Sequence, residues 1–411
     1  MKFLKGNAMV GQSGGPTAAI NATLAGVYKA ARDSEYIDTI YGLVHGIAGL
    51  LKNDIVDMSE GLRTDEDIEI LASTPSAYLG SCRFKLPKHE DKPEVYEEIF
   101  KIFEKNNVKY FFYIGGNDSM DTVYKLSLYA SKIGYEINIM GVPKTIDNDL
   151  AMTDHTPGFG SAAKYIATSA RELIRDVSVY GDFCVGILEI MGRNAGWLTA
   201  AAALARHEGC DAPDLIYLPE IVFDIDKFIE DIKKVLERKK CVFIAVSEGV
   251  HLADGTYICD ALSNGETDAF GHKRLSGTAR VLSNIVTERL GAKTRQVEFS
   301  LLQRCAAHCA SATDISESLM IGAYAVNEAI NGKTGHMVYF VRESNSPYKV
   351  SASSANIADI ANVEKVIPRK WINEDGNDVT QEAIDYMLPL IQGEAKVFMK
   401  DGLPMHAILK K

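Results

Sequence analysis

Short apolar runs alternate along the chain with segments of helical periodicity. The runs that predict strands cover residues 7–15, 38–46, 108–116, 135–145, 182–193, 214–220, 240–249 and 295–304. Helices are predicted at 17–32, which is rich in alanine, and at 93–107, which is amphipathic. This alternation is typical of parallel sheets that helices cover on both faces. Residues 249–277 are expected to form a longer loop, and the weaker periodicity from about Tyr348 predicts a helical cover or an extra lobe.

Glycines or polar residues repeatedly follow these strands at their carboxyl ends. Ligands of open α/β sheets bind at that edge. The residues that could carry chemistry are therefore expected to converge there, in a cleft between two such sheets.

Composition narrows the class of protein. The 411 residues suffice for about two to three domain units. A net charge of −11 argues against nucleic-acid binding, although a local cluster of Arg and Lys could still bind an anionic substrate. Seven scattered cysteines without a signal-peptide pattern predict reduced thiols in a cytoplasmic protein. The apolar runs are too short for a membrane helix, so no membrane partner is expected.

Two glycine-rich turns have the form of phosphate-binding loops. The first, GQSGG, ends at Gly15, and the second, GGNDS, contains Asn117 and Asp118. Backbone N–H groups after a strand and before a helix can approach a phosphate, although such glycines are more often plain turn residues. The carboxylate of Asp118 stands where an anion would approach, which a simple phosphate loop does not explain.

The segment PKTIDNDL carries the most informative spacing. Asp147 and Asp149 are separated by one residue, and Lys144 comes just before them. In an extended segment, side chains two positions apart point to the same side. Two carboxylates on one side suit a general base beside a metal site. A solvated acidic turn is the alternative.

Other candidates are weaker taken singly. Arginines that could bind a phosphate, and a glutamate that could bind a sugar hydroxyl, are Arg83, Arg193, Arg295, Arg304 and Glu248. Each arginine could equally be a solvated surface residue. Cys305, His308 and Cys309 have helical spacing, but no further ligand cluster accompanies them, so small packed residues are favoured over a metal site.

Taken in order, these motifs resemble those of the 6-phosphofructokinase family. The series SGGPTAAIN, GSCRF, GGNDS, PKTIDND, TDHTPGFGSA, MGRNAG, SEG and TRQVEFSLLQR runs from about Gly11 to Arg304. The resemblance implies an α/β fold of two Rossmann-like three-layer lobes, with the active site in the cleft between them. It implies residues 1–158 with about 303–365 as the phosphoryl-donor lobe, and 159–302 with the C-terminal segment as the sugar-phosphate lobe.

The resemblance also implies Mg²⁺-dependent transfer of a phosphoryl group to the 1-hydroxyl of fructose 6-phosphate. Asp147 would be the base that takes the hydroxyl proton, with Thr145 and Asp149 beside it. Gly14 and Arg83 would lie at the phosphoryl donor. The residues implied to bind the sugar phosphate are Met191, Gly192, Arg193, Glu248, Arg295 and Arg304. Self-association as a dimer or tetramer is expected as well.

Two positions bear on the identity of the donor. Members of the family that use ATP tend to have glycine where this chain has Asp118 and Lys144, whereas members that use pyrophosphate tend to have Asp and Lys. A carboxylate at Asp118 would repel the α-phosphate of ATP and fill its volume. Lys144 would stabilise the transferring phosphoryl group and the leaving phosphate. Pyrophosphate is therefore the predicted donor, in a readily reversible reaction of glycolysis.

Three departures from the family pattern qualify this prediction. Asn117 replaces a usual Asp at a Mg²⁺-associated position and offers only a neutral oxygen. Leu301 replaces a common His, and Cys184 stands where many members have an Arg that acts across a subunit interface. The acceptor pocket therefore differs, which leaves a larger acceptor such as sedoheptulose 7-phosphate open.

Three other functions compete with this prediction. An ATP-dependent kinase that tolerates Asp118 is one alternative. A non-catalytic sugar-phosphate-binding protein on the same fold is another, although such a protein would not need a base in TIDND. An NAD-dependent dehydrogenase is disfavoured because no GxGxxG with a distal acidic residue follows a strand.

Overall fold

The computed structural model describes residues 3–179, 182–262, 277–360 and 364–410. Its strands in these ranges are β1 (Gly6–Gln12), β2 (Ile37–Leu43), β3 (Ile55–Asp57), β4 (Val108–Gly115), β5 (Asn138–Pro143), β6 (Cys184–Ile190), β7 (Leu215–Tyr217), β8 (Cys241–Ser247), β9 (Lys293–Glu298), β10 (His336–Asn345), β11 (Tyr348–Asn356), β12 (Met399–Lys400) and β13 (Leu403–Pro404). Its α-helices there are α1 (Ile20–Arg32), α2 (Gly46–Leu50), α3 (Asp65–Ser73), α4 (Pro93–Lys105), α5 (Asn117–Ile133), α6 (Phe159–Ser178), α7 (Trp197–Ala200), α8 (Ile225–Leu236), α9 (Thr278–Leu290), α10 (Leu302–Cys305), α11 (Ala312–Ile330) and α12 (Gln381–Met387). None of these helices is long and apolar enough to cross a membrane.

Seven strands form the larger sheet, in the order β11-β10-β5-β4-β1-β2-β3. Its apolar strands are buried on both faces, as the continuous hydrophobic run of β4 predicts. Ala8 and Val10 share a core with α1 and α11, whereas Met9 between them shares one with α4 and α5. The period of two along β1 therefore places one helix layer on each face of the sheet.

The smaller sheet has four parallel strands in the order β7-β8-β6-β9. Along β6, Val185 and Ile187 pack with α8 and α9, and Leu188 packs with α6. Residues of the C-terminal segment, from Ile367 to Leu390, join the core on the α6 side. The fold prediction of two Rossmann-like three-layer lobes is thus confirmed.

Three parts of the fold differ from the pattern-based prediction. The larger sheet is not wholly parallel, because β3 and β11 pair antiparallel at its two edges. The prediction of a helical cover from about Tyr348 is wrong at its start, since Tyr348 begins β11. This strand reads YKVSASSAN and is mostly half-buried, so it lacks the apolar run that marks the inner strands. The predicted helix at Thr17 begins at Ile20 instead, because the Thr17 hydroxyl accepts from the Ala19 N–H in a turn.

The longer loop expected at 249–277 lies in part outside the described residues, although a short 3₁₀ helix is formed at Ile258–Leu262. Past the second lobe, Ala407 and Leu409 pack against the core that contains α1. The lobe boundaries within the chain stay a prediction.

Helices α1 and α11 pack together through two glycines. A β-carbon at Gly26 would overlap the carbonyl oxygen of Leu319, and one at Gly322 would overlap that of Thr23. The two backbones therefore lie closer than helices with larger contact residues allow. Since α1 follows the Gly14–Gly15 turn, this contact also sets where that turn lies.

Candidate active site

A cavity of about 500 Å³ opens where strands of both sheets end. Residues that follow β1, β4, β5, β6 and β8 form most of its wall, as expected for the ligand edge of α/β sheets. The lining residues are Ser13, Gly14, Gly15, Pro16, Thr17, Arg83, Phe84, Gly116, Asn117, Asp118, Ser119, Lys144, Thr145, Ile146, Asp147, Asp149, Met191, Gly192, Arg193, Asn194, Ala195, Glu248, Arg304 and Glu364.

The turn after β1 is fixed in place by hydrogen bonds. Gly14 has φ of 77°, a left-handed conformation that suits glycine. The Gly14 N–H donates to the Cys82 carbonyl at 3.2 Å, and the Gly14 carbonyl accepts from the Ser81 hydroxyl at 2.6 Å. The Lys144 ammonium donates to the Gly15 carbonyl at 2.6 Å. A fixed turn with a cation beneath it can bind a phosphate group.

The second turn leads directly into α5. Asn117 and Asp118 are the first two residues of this helix, and the Asp118 side chain is exposed towards the cavity. The side-chain oxygen Oδ1 of Asn117 is buried without a hydrogen-bond partner. A buried oxygen of this kind is costly unless a cation or a water satisfies it.

Two aspartates enter the cavity from the segment after β5. The Thr145 hydroxyl donates to Oδ2 of Asp147 at 3.2 Å, and the Asp147 N–H donates to the Thr145 hydroxyl at 3.1 Å. Burial raises the pKa of Asp147, and the Lys144 ammonium partly offsets this. Burial, the Asp147 charge and the Glu364 charge raise the pKa of Asp149 to about 7. A carboxylate with a raised pKa is a better proton acceptor near neutral pH.

The opposite wall comes from the second lobe. The Gly192 N–H donates to Glu248 at 3.4 Å, and the Met191 N–H donates to Gln303 at 3.3 Å. Burial raises the pKa of Glu248 to about 8. Arg193 lies close enough to Asp147 to lower the pKa of that carboxyl. This wall therefore combines hydrogen-bonding groups with a cation.

Two more cations lie beside the first turn. Nη1 of Arg304 is 3.2 Å from the position a β-carbon would take at Gly15. Burial, and to a lesser extent the nearby Arg83 guanidinium, lower the pKa of Arg304. Burial also lowers the pKa of Lys144 to about 8. Several positive groups thus converge on a cavity in an acidic protein, as an anionic substrate would require.

The structure brings all but one of the predicted site residues into this cavity. The exception is Arg295, which lies on the edge strand β9, is exposed, and donates from Nη1 to the Thr294 carbonyl at 3.3 Å. Within one chain Arg295 therefore does not line the cavity, because its strand borders the sheet rather than the cleft. Leu301, which is exposed, and Cys184, which is buried on β6, also lie outside the lining.

Sequence reasoning missed Glu364 and Asn194. The Asn194 amide donates to Glu364 at 3.1 Å, and Glu364 pairs through its backbone with Leu150. Asn194 could have been found, since it directly follows the MGR motif. No motif surrounds Glu364, whose segment has weak periodicity.

Metal-binding capacity rests on oxygen ligands. No group of three or more His, Cys, Asp or Glu side chains in the described ranges could hold a metal ion, and this includes Cys305, His308 and Cys309. Mg²⁺ commonly takes only one or two protein carboxylates and completes its shell with water and substrate phosphates. The unpartnered oxygen of Asn117 and the carboxylates of Asp147 and Asp149 form a donor set that fits such an ion.

Comparison with known proteins places the chain among phosphoryl-transfer enzymes. Residues 7–328 match the family model described as phosphofructokinase. The sequence is 42% identical to a pyrophosphate–fructose 6-phosphate 1-phosphotransferase of Halomonas elongata, covering 98% of this chain and 96% of that protein. The protein of the same name from Methylococcus capsulatus is 41% identical, with the same two coverages. A solved pyrophosphate-dependent phosphofructokinase from Marinobacter aquaeolei superposes with a TM-score of 0.88 at 39% identity, covering 99% of this chain and 98% of that one.

Proposed function

This chain belongs to the phosphofructokinase family, and we propose that it transfers a phosphoryl group from inorganic pyrophosphate to the 1-hydroxyl of fructose 6-phosphate. The products would be fructose 1,6-bisphosphate and phosphate, in a reversible reaction of glycolysis. The observation that carries the choice of donor is the Asp118 carboxylate at the start of α5, exposed to the cavity that also contains Lys144. The names of the relatives support the same donor and acceptor.

The reaction follows from the arrangement of the side chains. Asp147 accepts the proton of the 1-hydroxyl while the hydroxyl oxygen bonds to the transferring phosphorus. The bridging P–O bond of pyrophosphate breaks, and phosphate leaves. Thr145 orients the Asp147 carboxylate. Lys144 and the Gly15 N–H of the first turn stabilise the negative charge of the leaving phosphate. Positioning and electrostatics of this kind dominate phosphoryl transfer.

The acceptor lies against the second lobe in this proposal. Met191, Gly192 and Glu248 contact the sugar, and Arg193 and Arg304 pair with its phosphate. Asn117, Asp147 and Asp149 would hold Mg²⁺. When bound, this ion neutralises charge on the phosphate oxygens.

A direct assay tests the proposed donor. Fructose 6-phosphate is supplied with Mg²⁺ and either pyrophosphate or ATP, and fructose 1,6-bisphosphate is measured. We expect turnover with pyrophosphate and little with ATP. Efficient turnover with ATP would contradict the role given to Asp118, and no turnover with either donor would favour a sugar-phosphate-binding protein.

We propose that the protein is cytoplasmic, in keeping with the seven free cysteines. We also propose that it forms a homo-oligomer, which sedimentation would test.

Arg304→Ala is expected to raise the KM for fructose 6-phosphate. A charge-assisted hydrogen bond is worth about 1.5–3 kcal/mol, so the rise should be roughly ten- to a hundredfold. Steady-state kinetics in both substrates check this. Because Arg304 also lies beside Gly15, a rise confined to the KM for pyrophosphate would instead place this guanidinium at the donor.

The pH profile should report Lys144. Its pKa of about 8 means that the ammonium is charged below this pH and neutral above it. The kcat/KM for pyrophosphate should therefore fall on the alkaline side from about pH 8. On the acid side, kcat/KM should fall as Asp147 takes up a proton, at a pH above the usual range of Asp. In Lys144→Met the remaining activity should lack the alkaline fall, and its persistence near the same pH would assign it to another group.

A further inference from the structure

We propose that Lys365 and Tyr386 are positioning residues that hold the aspartate pair of the active site through Asn148. Both lie beyond residues 7–328, the part of the chain that the family model matches. The inference rests on the proposed function in one respect, namely that Asp147 is the proton acceptor. It assigns a part in catalysis to the C-terminal segment, here residues 364–410.

Asn148 is the residue that separates Asp147 from Asp149. It is fully buried and has φ of 53°, a left-handed conformation that asparagine tolerates better than most residues. This conformation turns the chain between the two aspartates, both of which line the cavity. Whatever fixes the Asn148 side chain therefore fixes how both carboxylates are presented.

The Asn148 amide is held at both ends by the C-terminal segment. The Lys365 ammonium donates to its Oδ1 at 3.3 Å, and its Nδ2 donates to the Tyr386 hydroxyl at 3.0 Å. The amide cannot rotate about its last torsion without losing both bonds. Asparagine suits this position because its short side chain offers an acceptor oxygen and a donor NH₂ group on opposite sides.

The same two residues fix the far end of the segment that carries Asp147 and Asp149, residues 145–154, which we call the aspartate loop. The Lys365 ammonium also donates to the carbonyls of Thr153 at 3.1 Å and Asp154 at 2.7 Å. The Tyr386 hydroxyl donates to the Asp154 carbonyl at 2.5 Å. The Lys365 N–H donates to the Asp149 carbonyl at 2.7 Å. One lysine thus joins the middle and the end of the loop.

The other side of this segment is anchored in the second lobe. The Trp197 indole donates to the Lys365 carbonyl at 3.0 Å, and the Ile367 N–H donates to Glu220 at 3.0 Å. The Tyr386 ring packs against Trp197 and Trp371, with ring centroids 5.4 and 5.1 Å apart. The aspartate loop of the first lobe is therefore held by residues seated beside the sugar-binding wall.

This arrangement predicts a selective effect on turnover. A small displacement of a reacting group can cost about 10²-fold in rate, while the binding groups stay where they are. In Lys365→Met we expect kcat to fall roughly ten- to a hundredfold, with the KM for either substrate changed by less than about threefold. Tyr386→Phe removes one hydroxyl, keeps the ring packing, and should lower kcat by a smaller factor. Because both act on Asn148, the double variant should lose less than the product of the two effects.

Lys164→Met is the matched control. Its side chain is also buried, and its ammonium donates to the Gly393 carbonyl at 2.5 Å and to Glu394 at 2.9 Å in the C-terminal segment. It also donates to the Ala310 carbonyl at 3.4 Å. These three partners lie outside residues 145–154, so loss of the ammonium should lower thermal stability while kcat stays near the parental value.

The experiment measures kcat, both KM values and amide hydrogen exchange of residues 145–154 in the parent and the four variants. Faster exchange of this loop together with a kcat-selective loss in Lys365→Met supports the proposal. Parental kcat in Lys365→Met, or an equal loss of kcat in Lys164→Met, overturns it. If Lys365→Met does not fold, parental kcat in Tyr386→Phe overturns it. A parent inactive with pyrophosphate and fructose 6-phosphate defeats the proposed function alone, since unchanged loop exchange in the variants would then still overturn the positioning role.

Discussion

Asp147→Asn is expected to lower kcat by about 10²–10⁴-fold while the protein folds and binds fructose 6-phosphate as before. Asparagine has the shape of the carboxylate and can still accept from the Thr145 hydroxyl, which lies 3.2 Å from Asp147. It cannot take up the hydroxyl proton. The loss would be larger if the carboxylate also contacts Mg²⁺, because both contributions would then disappear together.

The measurement separates turnover from binding. Steady-state kinetics give kcat, and calorimetric titration with fructose 6-phosphate gives the affinity of the acceptor. Asp121→Asn serves as the control, because Asp121 is paired with Lys125 at 2.6 Å on α5 and lies outside the cavity lining. A near-parental kcat in Asp147→Asn would remove this residue from the role of proton acceptor.

Changing Asp118 and Lys144 is expected to alter the choice of donor. Asp118→Gly removes a carboxylate from the start of α5, so the α-phosphate of ATP loses a repelling neighbour and gains space. ATP should bind, but turnover with it should stay poor while Lys144 occupies the donor side. Lys144→Gly should lower pyrophosphate turnover heavily, by about 3–4 kcal/mol of transition-state stabilisation by analogy with oxyanion donors, or roughly 10²–10³-fold.

Four proteins test this prediction: the parent, the two single variants and the double. The kcat/KM for pyrophosphate and for ATP is measured in each. The ammonium of Lys144 contacts the Gly14–Gly15 turn, and Lys144 and Asp118 line the same cavity, so the two effects should not add. A parent that uses both donors equally well would refute the exclusion of ATP by Asp118.

The inner strands of both sheets could be predicted because their residues are apolar on both faces. β4 reads VKYFFYIG, an apolar run of strand length that is buried along almost all of its length. The hairpin of β10 and β11 was not predicted in this way. Its second strand borders the sheet and needs no apolar face, so its serines and alanines carry no periodic signal.

The site also has one part that local sequence predicts and another that it does not. Lys144, Asp147 and Asp149 lie within six residues of one another after a strand, so local spacing sufficed to group them. Contacts such as that between Asn148 and Tyr386 join residues 238 positions apart. No local pattern encodes such a contact, and it follows only from the packing of the lobes. Arg295 shows a second limit. A sequence motif marks it as a candidate, but the motif does not state to which surface its strand presents the side chain.

The two glycines between α1 and α11 make the donor turn depend on residues that no ligand would touch. Gly26 and Gly322 have no room for a methyl group, and α1 starts five residues after Gly15. An alanine at either position would push α1 outward and carry the turn with it. Neither glycine would appear in a map of ligand contacts. In a survey of natural or random variants, substitutions at these two positions would nevertheless be recovered as defects in pyrophosphate affinity.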